Sequence, residues 1–348
     1  MALTSLRSLD LVTDRAYLAS SDLGSFGAGL SWWFPERAVA FLEHQNIPDQ
    51  IFNTYNEGGY FIWRLGSKYP DYVDGRAIPF GPELVARNDR LLTTSPAASM
   101  WQQEVQRYNI NAILVPLGRY NGLHLFPVLR QFCASEVWSP VYLDEVSAIF
   151  LRRTPETEHL IARFQINCAT ASLPAVVPQR NTTEAFNHWA NAAAVLQALG
   201  RNEEALNATE RALAIFSDSA FVHALRGNLL TEGGLFYEAE QEYLSAASLE
   251  PNGTIWSSLA VIYHRQGRLM DEIAAWEHAT ALLPYPAAEL LALGYAELAA
   301  HRPQRALQEF DRAAASLPPS LDPGGHQYFF ARLRNGQSMA LSALAQQR

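Results

Sequence analysis

Apolar positions in the first 150 residues change period repeatedly. Ala38, Phe41 and Leu42 follow Pro35 at helical spacing, which predicts a helix over 35–45 with proline fixing φ in its first turn. Residues 50–55 read as a strand, 58–65 as a helix, 71–74 as a strand, and the stretch after Gly81 as helical. Trp101, Val105 and Tyr108 share one side of a helix over 101–108. It leads into 111–117, where the run Ala112, Ile113, Leu114, Val115 suits a central strand buried on both faces. A helix over 123–132 follows, then two strands, 137–142 and 147–151, whose short link at Asp144 and Glu145 predicts an antiparallel edge hairpin. Strands alternating with helices argue for a sheet covered on both faces. Residues 1–29 show only Leu6, Leu9, Leu11 and Tyr17 among polar positions, then Gly24, Gly27 and Gly29, and are expected to form an extended or partly helical lead-in.

From residue 183 the pattern becomes a repeat. Ala193, Gly227, Ala260 and Gly294 stand 34, 33 and 34 residues apart, and a period near 34 built on small residues predicts stacked helical hairpins. Prolines 155, 174 and 178 break up the stretch before it, with a short helix expected near 159–164.

The first copy runs Trp189, Ala193, Gly200, Ala205, Ala212, and the second Gly227, Gly234, Ala239, Tyr243, Ala246, Pro251. The third runs Trp256, Leu259, Ala260, Tyr263, Gly267, Trp276, Ala279, Pro284, and the fourth Gly294, Ala306, Phe310, Ala313, Pro318. These intervals resemble the tetratricopeptide repeat (TPR). Small residues sit where helices cross at about 8–10 Å, with aromatics filling the space beside them. Gly200, Gly234 and Gly267 fall where each first helix must end in the left-handed conformation. His301 takes that place in the fourth copy, followed by Pro303 at a first-turn position. Glu272 stands where a small residue belongs, so its helix must shift or its carboxylate must find a partner. In this family the first helix of each pair lines the concave face. The resemblance therefore implies a groove carrying Asn187, Gln197, Phe221, Asn228, Glu232, His264, Arg265 and Tyr295. Chaperone-binding members grip a terminal carboxylate with lysines, but Ala190 and Ala224 occupy such places here.

The expected fold class is an α/β N-terminal domain, with a mostly parallel sheet and helices on both faces, followed by an all-α TPR solenoid. The expected divisions are a lead-in over 1–34, the α/β domain over 35–153, a connector over 154–182, four repeats over 183–319 and a C-terminal capping helix over 320–348. The last helix is expected to cover the open end of the stack with Phe329, Leu333 and Leu344.

Composition narrows the partners. The net charge is −9, Lys68 is the only lysine, and no basic run occurs, which argues against nucleic acid and against docking onto an anionic membrane. Cys133 and Cys168 lack CxxC spacing and read as buried free thiols. No signal-peptide core and no uncharged apolar run near 18 residues is present, so the chain reads as soluble with no transmembrane segment of its own. The nine histidines show neither HxH nor HxxxH spacing; His44, His124, His159 and His188 stand alone, and neither a metal nor a cofactor is expected. Cys133 and Ser147 lie in no nucleophile motif, so no catalytic residue is assigned.

A second candidate site lies in the first half. Asn53, Glu57, Gly58 and Gly59 run from a strand into a helix start whose free N–H groups suit an anion, although glycine for a tight turn explains the same residues. Asp74 and Arg76 follow the second strand, at the edge where open sheets bind ligands. Glu57 and Asp74 would serve as acid and base and Arg76 would hold a phosphate or carboxylate, or else Asp74 and Arg76 form an internal ion pair. Asp14, Arg15, Tyr17, the Gly24-to-Gly29 segment, Trp33 to Ala38, Phe52, Asn53, Gly58 to Trp63 and Val73 to Arg76 together resemble the soluble extracytoplasmic region of bacterial polytopic glycosyltransferase-like membrane proteins. That resemblance implies a periplasmic or extracytoplasmic domain that is part of, or associated with, a membrane protein, with the cytoplasm as the alternative. The expected function is a protein- or peptide-binding scaffold in a larger envelope-associated assembly. The rival is an accessory domain binding a sugar or phosphate ligand.

Overall fold

The computed structural model describes residues 8–9, 11–12, 18, 30, 32–76, 80–117, 126–173, 182–317 and 327–346. Asp14, Arg15, Tyr17, the Gly24-to-Gly29 segment, Pro174, Pro178 and Pro318 lie outside them. The chain forms two compact units, Met1–Ser217 and Asp218–Arg348.

The first unit is built from α1 (Glu36–Glu43), β1 (Gln50–Phe52), α2 (Gly58–Leu65), α3 (Gly81–Thr93), α4 (Ser99–Tyr108) and β2 (Ile110–Pro116). After these come α5 (Phe126–Cys133), β3 (Trp138–Leu143), β4 (Ser147–Arg152), α6 (Glu158–Phe164), α7 (Thr182–Ala198) and α8 (Asn202–Ile215). The sheet order is β1-β2-β4-β3. Among the described residues β1 and β2 alone run parallel; β2 pairs antiparallel with β4, and β4 with β3. The sheet is therefore mixed rather than mostly parallel. The link from β1 to β2 is long enough for a crossover, whereas three residues between β3 and β4 permit only an antiparallel turn. The strand expected over 71–74 is absent, because its backbone is held by side chains instead of a neighbouring strand.

Alternate residues of β1, β2 and β4 face opposite cores. Ile113, Val115, Ala148 and Phe150 face a cluster with Leu91, Leu92, Trp101, Leu129 and Phe132. Ala112, Leu114, Ile149 and Leu151 face Ala38, Leu42, Phe61, Leu65, Leu160 and Ile161. Helices thus cover both faces, and the continuous apolar run of β2 follows from burial on both sides. Val195 of α7 belongs to the first of these cores, so the first helical pair, α7 and α8, packs with the sheet.

Cys133 and Cys168 form a disulfide with Cα atoms 6.0 Å apart, which overturns the free-thiol expectation. Their separation of 35 residues hides a proximity created when residues 165–168 return past the end of α5 and Ile166 N donates to Pro140 O of β3.

The second unit contains three pairs, α9 (Ala220–Glu232) with α10 (Phe236–Leu249), α11 (Gly253–Arg265) with α12 (Leu269–Leu282), and α13 (Ala287–Ala299) with α14 (Pro303–Ala315). A final helix, α15 (Gln327–Gln346), packs mainly on α14 and buries Leu333, Gly336 and Ala340. Each first helix in the chain ends alike. Gly200, Gly234, Gly267 and His301 have φ of 78°, 75°, 69° and 57°. The next residue's N–H closes on a carbonyl five residues back, Arg201 on Leu196, Leu235 on Leu230, Arg268 on Tyr263 and Arg302 on Glu297, each at 2.9 Å. Close approach explains the other small residues: a Cβ on Gly227 would lie 2.9 Å from the Tyr243 ring, and one on Gly294 2.5 Å from Phe310.

Candidate functional site

The chain leaving β1 runs beside residues 71–76, and Asn53 ties the two together. Its Nδ2 donates to Val73 O (2.6 Å) and Thr54 O (3.0 Å), and its Oδ1 accepts from Tyr72 N (2.8 Å). Asn88 of α3 braces the same turn, donating to Asn53 O (3.0 Å) and accepting from Tyr55 N (3.2 Å). Gly58 opens α2 so close to the second segment that a Cβ would meet Val73 O at 2.2 Å, while one on Gly59 would meet open space.

Asp74 is buried and accepts from Arg76 N (2.8 Å) and Arg76 Nε (2.9 Å), with Nη2 also paired to it. The hydrogen bond from Arg76 holds the Asp74 carboxyl below the usual aspartate range. Burial, then the hydrogen bond with Asp74, pushes Asp71 up. Glu57 is 3% exposed, its Oε2 has no hydrogen-bond partner, and burial pushes its carboxyl up to about 7. Thr54 Oγ1 and Asp71 Oδ2 are likewise buried without a partner. Asn53, Gly58, Asp74 and Arg76 thus come together in one braced turn, flanked by Glu57, and two of the three Arg76 side-chain nitrogens are committed to Asp74.

The groove residues divide by environment. Asn187 is buried on α7 and donates to Thr183 O (2.9 Å). Gln197 is half-buried near the end of α7, where its backbone carbonyl accepts from Arg130 Nη2 (3.4 Å). In the second unit Phe221 is half-buried at the start of α9, whereas Asn228, Glu232, His264 and Arg265 are exposed on α9 and α11. Asn228 Oδ1 accepts from Tyr243 Oη at 2.5 Å. His264 Nδ1 stands 3.1 Å from both carboxylate oxygens of Glu272, which is the partner that buried Glu272 requires. Tyr295 donates to Arg332 O of α15 (2.7 Å), with the Arg332 guanidinium 5.0 Å over its ring. The final helix therefore covers part of Tyr295.

A buried charged cluster escapes sequence reading. Arg37 of α1 pairs with Asp144 (3.3 Å) and Glu145, and Glu145 Oε1 lies 3.0 Å from His188 Nδ1 of α7. Burial alone would raise Glu145, but the His188 hydrogen bond and the Arg37 charge hold its carboxyl below the usual range. Burial and the Glu145 charge raise Asp144. Asp144 also shapes the hairpin, accepting from Val146 N (2.8 Å) and Ser147 N (2.7 Å). Residues 37, 145 and 188 share no spacing rule, and acidic residues in a turn read as solvated, so no local signal marks the cluster.

Among the described residues no group of three His, Cys, Asp or Glu side chains could hold a metal ion, and no helix is long and apolar enough to cross a membrane. No family model and no curated protein matches the sequence. Solved structures overlap a little under half of the chain. YrrB, a TPR protein with an unusual peptide-binding site, is 20% identical over 45% of this chain and 81% of its own, with a TM-score of 0.37. PilF of Pseudomonas aeruginosa is 17% identical over 47% and 78%, with a TM-score of 0.37. MamA is 14% identical over 47% and 87%, with a TM-score of 0.39.

Proposed function

We propose that the protein is a protein- or peptide-binding scaffold of the tetratricopeptide type, with the binding face on the first helices of the second unit. One repeated observation carries this reading. Asn228 and Glu232 on α9, and His264 and Arg265 on α11, stand exposed in the last turns of successive first helices, while Leu229, Leu230, Ile262 and Tyr263 beside them are buried. An amide, an imidazole and charges of both signs suit the backbone and polar side chains of a peptide, and Phe221 adds aromatic surface. Asn187 contributes less because it is buried, and Gln197 and Tyr295 because they are half-buried, Tyr295 partly beneath α15. A photo-crosslinker at Asn228 or Arg265 should capture the partner in the native source, and one at Tyr237 of α10 should not. Capture at Tyr237 alone would place binding on the other face.

An extracytoplasmic, envelope-associated setting is supported by the Cys133–Cys168 disulfide, since such bonds persist in oxidising compartments. Alkylation of the protein in native cells should label neither cysteine before reduction; labelling of both would argue for the cytoplasm.

A second reading, the accessory soluble domain of a membrane glycosyltransferase-like enzyme, is favoured by the unpartnered Glu57 Oε2, which a sugar hydroxyl could satisfy. A phosphate would find Nε and Nη2 of Arg76 already engaged. Asp74→Ala and Arg76→Ala should lower stability if the pair is a brace, and should abolish sugar binding at unchanged stability if it is a site.

A further inference from the structure

Within the first unit, α7, α8 and residues 172–173 line an open pocket of about 550 Å³. His188 is part of its lining, with its side chain only 6% exposed. A carboxylate only accepts, so the Nδ1 of His188 carries the proton directed at Glu145. Trp189 forms a wall, and the guanidinium carbon of Arg211 lies 4.4 Å from its ring centroid. Arg211 Nε donates to Asn207 Oδ1 at 3.0 Å.

These two contacts hold the Arg211 guanidinium over the Trp189 ring and against Asn207 without neutralising it, and among the described residues its two terminal nitrogens have no hydrogen-bond or ion-pair partner. The pocket's other arginine differs. Arg201 gives Nε and Nη2 to Glu204 (2.7 and 2.6 Å) and Nη1 to Ala171 O (2.5 Å). Of the lining carboxylates, Glu204 is thereby spent on Arg201, and Glu203 is exposed. A guanidinium held on an indole with its terminal fork free matches the two coplanar oxygens of a carboxylate.

We propose that this pocket binds a carboxylate through the terminal nitrogens of Arg211, with Trp189 and Asn207 as positioning residues that hold the guanidinium in place. The carboxylate can belong to a small organic acid or to an acidic side chain of a peptide. None of these residues is among the groove residues, so the pocket and the groove stand or fall separately.

Isothermal titration of the full chain tests it with four probes: succinate, its neutral analogue succinamide, inorganic phosphate, and a capped hexapeptide with one central glutamate. Saturable binding of succinate or of the peptide is expected, with no binding of succinamide and movement of the Trp189 indole N–H resonance. Binding of the peptide alone assigns the carboxylate to a peptide partner; binding of succinate shows that a free acid suffices. Arg211 is exposed, so Arg211→Gln should leave thermal unfolding unchanged while weakening binding at least 10-fold. Arg211→Lys should lose nearly as much, since lysine lacks the fork, and Arg90→Gln on α3 should change nothing. The proposal is overturned if no carboxylate probe saturates, if phosphate binds more tightly than both, or if Arg211→Gln binds like the wild type.

Discussion

Glu57 is an ionisable group that the first unit encloses without a partner for one oxygen, and burial pushes its carboxyl from 4.5 up to about 7. Between those values the folded chain holds a proton that the unfolded chain has released. The stabilisation is therefore complete below about pH 4.5 and lost as pH rises through 7. Glu57→Gln should remove this dependence and make the chain more stable than wild type at pH 8, by up to about 3 kcal/mol, measured by denaturant unfolding across that range. Unchanged slopes would mean that the carboxyl is solvated. His301 offers a simpler case. Its φ of 57° is left-handed at a place where the other three first helices end in glycine. His301→Gly should stabilise the second unit by about 1 kcal/mol, seen as a higher denaturant midpoint at constant slope. That position is legible in the sequence because the backbone demand recurs with the repeat. The burial of Glu57 and the contact of Glu145 with His188 are not, because segments far apart in the chain create them.

Helices and strands show the same division between local and distant causes. The helical pairs, their terminating residues and Pro303 at the start of α14 follow from intervals within one repeat. The antiparallel turn from β3 to β4 follows from its short link, but the pairing of β4 with β2 does not, since alternation of strand and helix leaves open which further neighbour β4 chooses. Phe310 shows how tightly the last pair is specified. A Cβ on Gly294 would lie 2.5 Å from its ring and one on Gly336 2.4 Å, so the ring has glycine against it on two helices. Gly294→Ala and Gly336→Ala should each destabilise by about 1–3 kcal/mol. Little loss from either would show that the ring can move aside. The disulfide joins the end of α5 to the loop after α6, next to Arg130, whose Nε donates to Ala198 O (2.9 Å) at the end of α7. Closing a 35-residue separation stabilises by about 3–4 kcal/mol in the chain-entropy account. Reductant should lower the unfolding transition of the first unit by that amount and leave the second unit's transition in place.

The whole molecule couples two kinds of construction in one chain. A mixed sheet with cores on both faces carries the first helical pair, and three further pairs with a closing helix make the second unit. The proposed partner is a protein or peptide. The central claim is that the first helices of the second unit present Asn228, Glu232, His264 and Arg265 to such a partner. The most direct test is the dissociation constant of the captured partner for the wild type and for a variant with all four residues changed to alanine, alongside thermal unfolding of both. A rise of at least 10-fold with unfolding unchanged is expected. Equal affinity for the two proteins would contradict the claim.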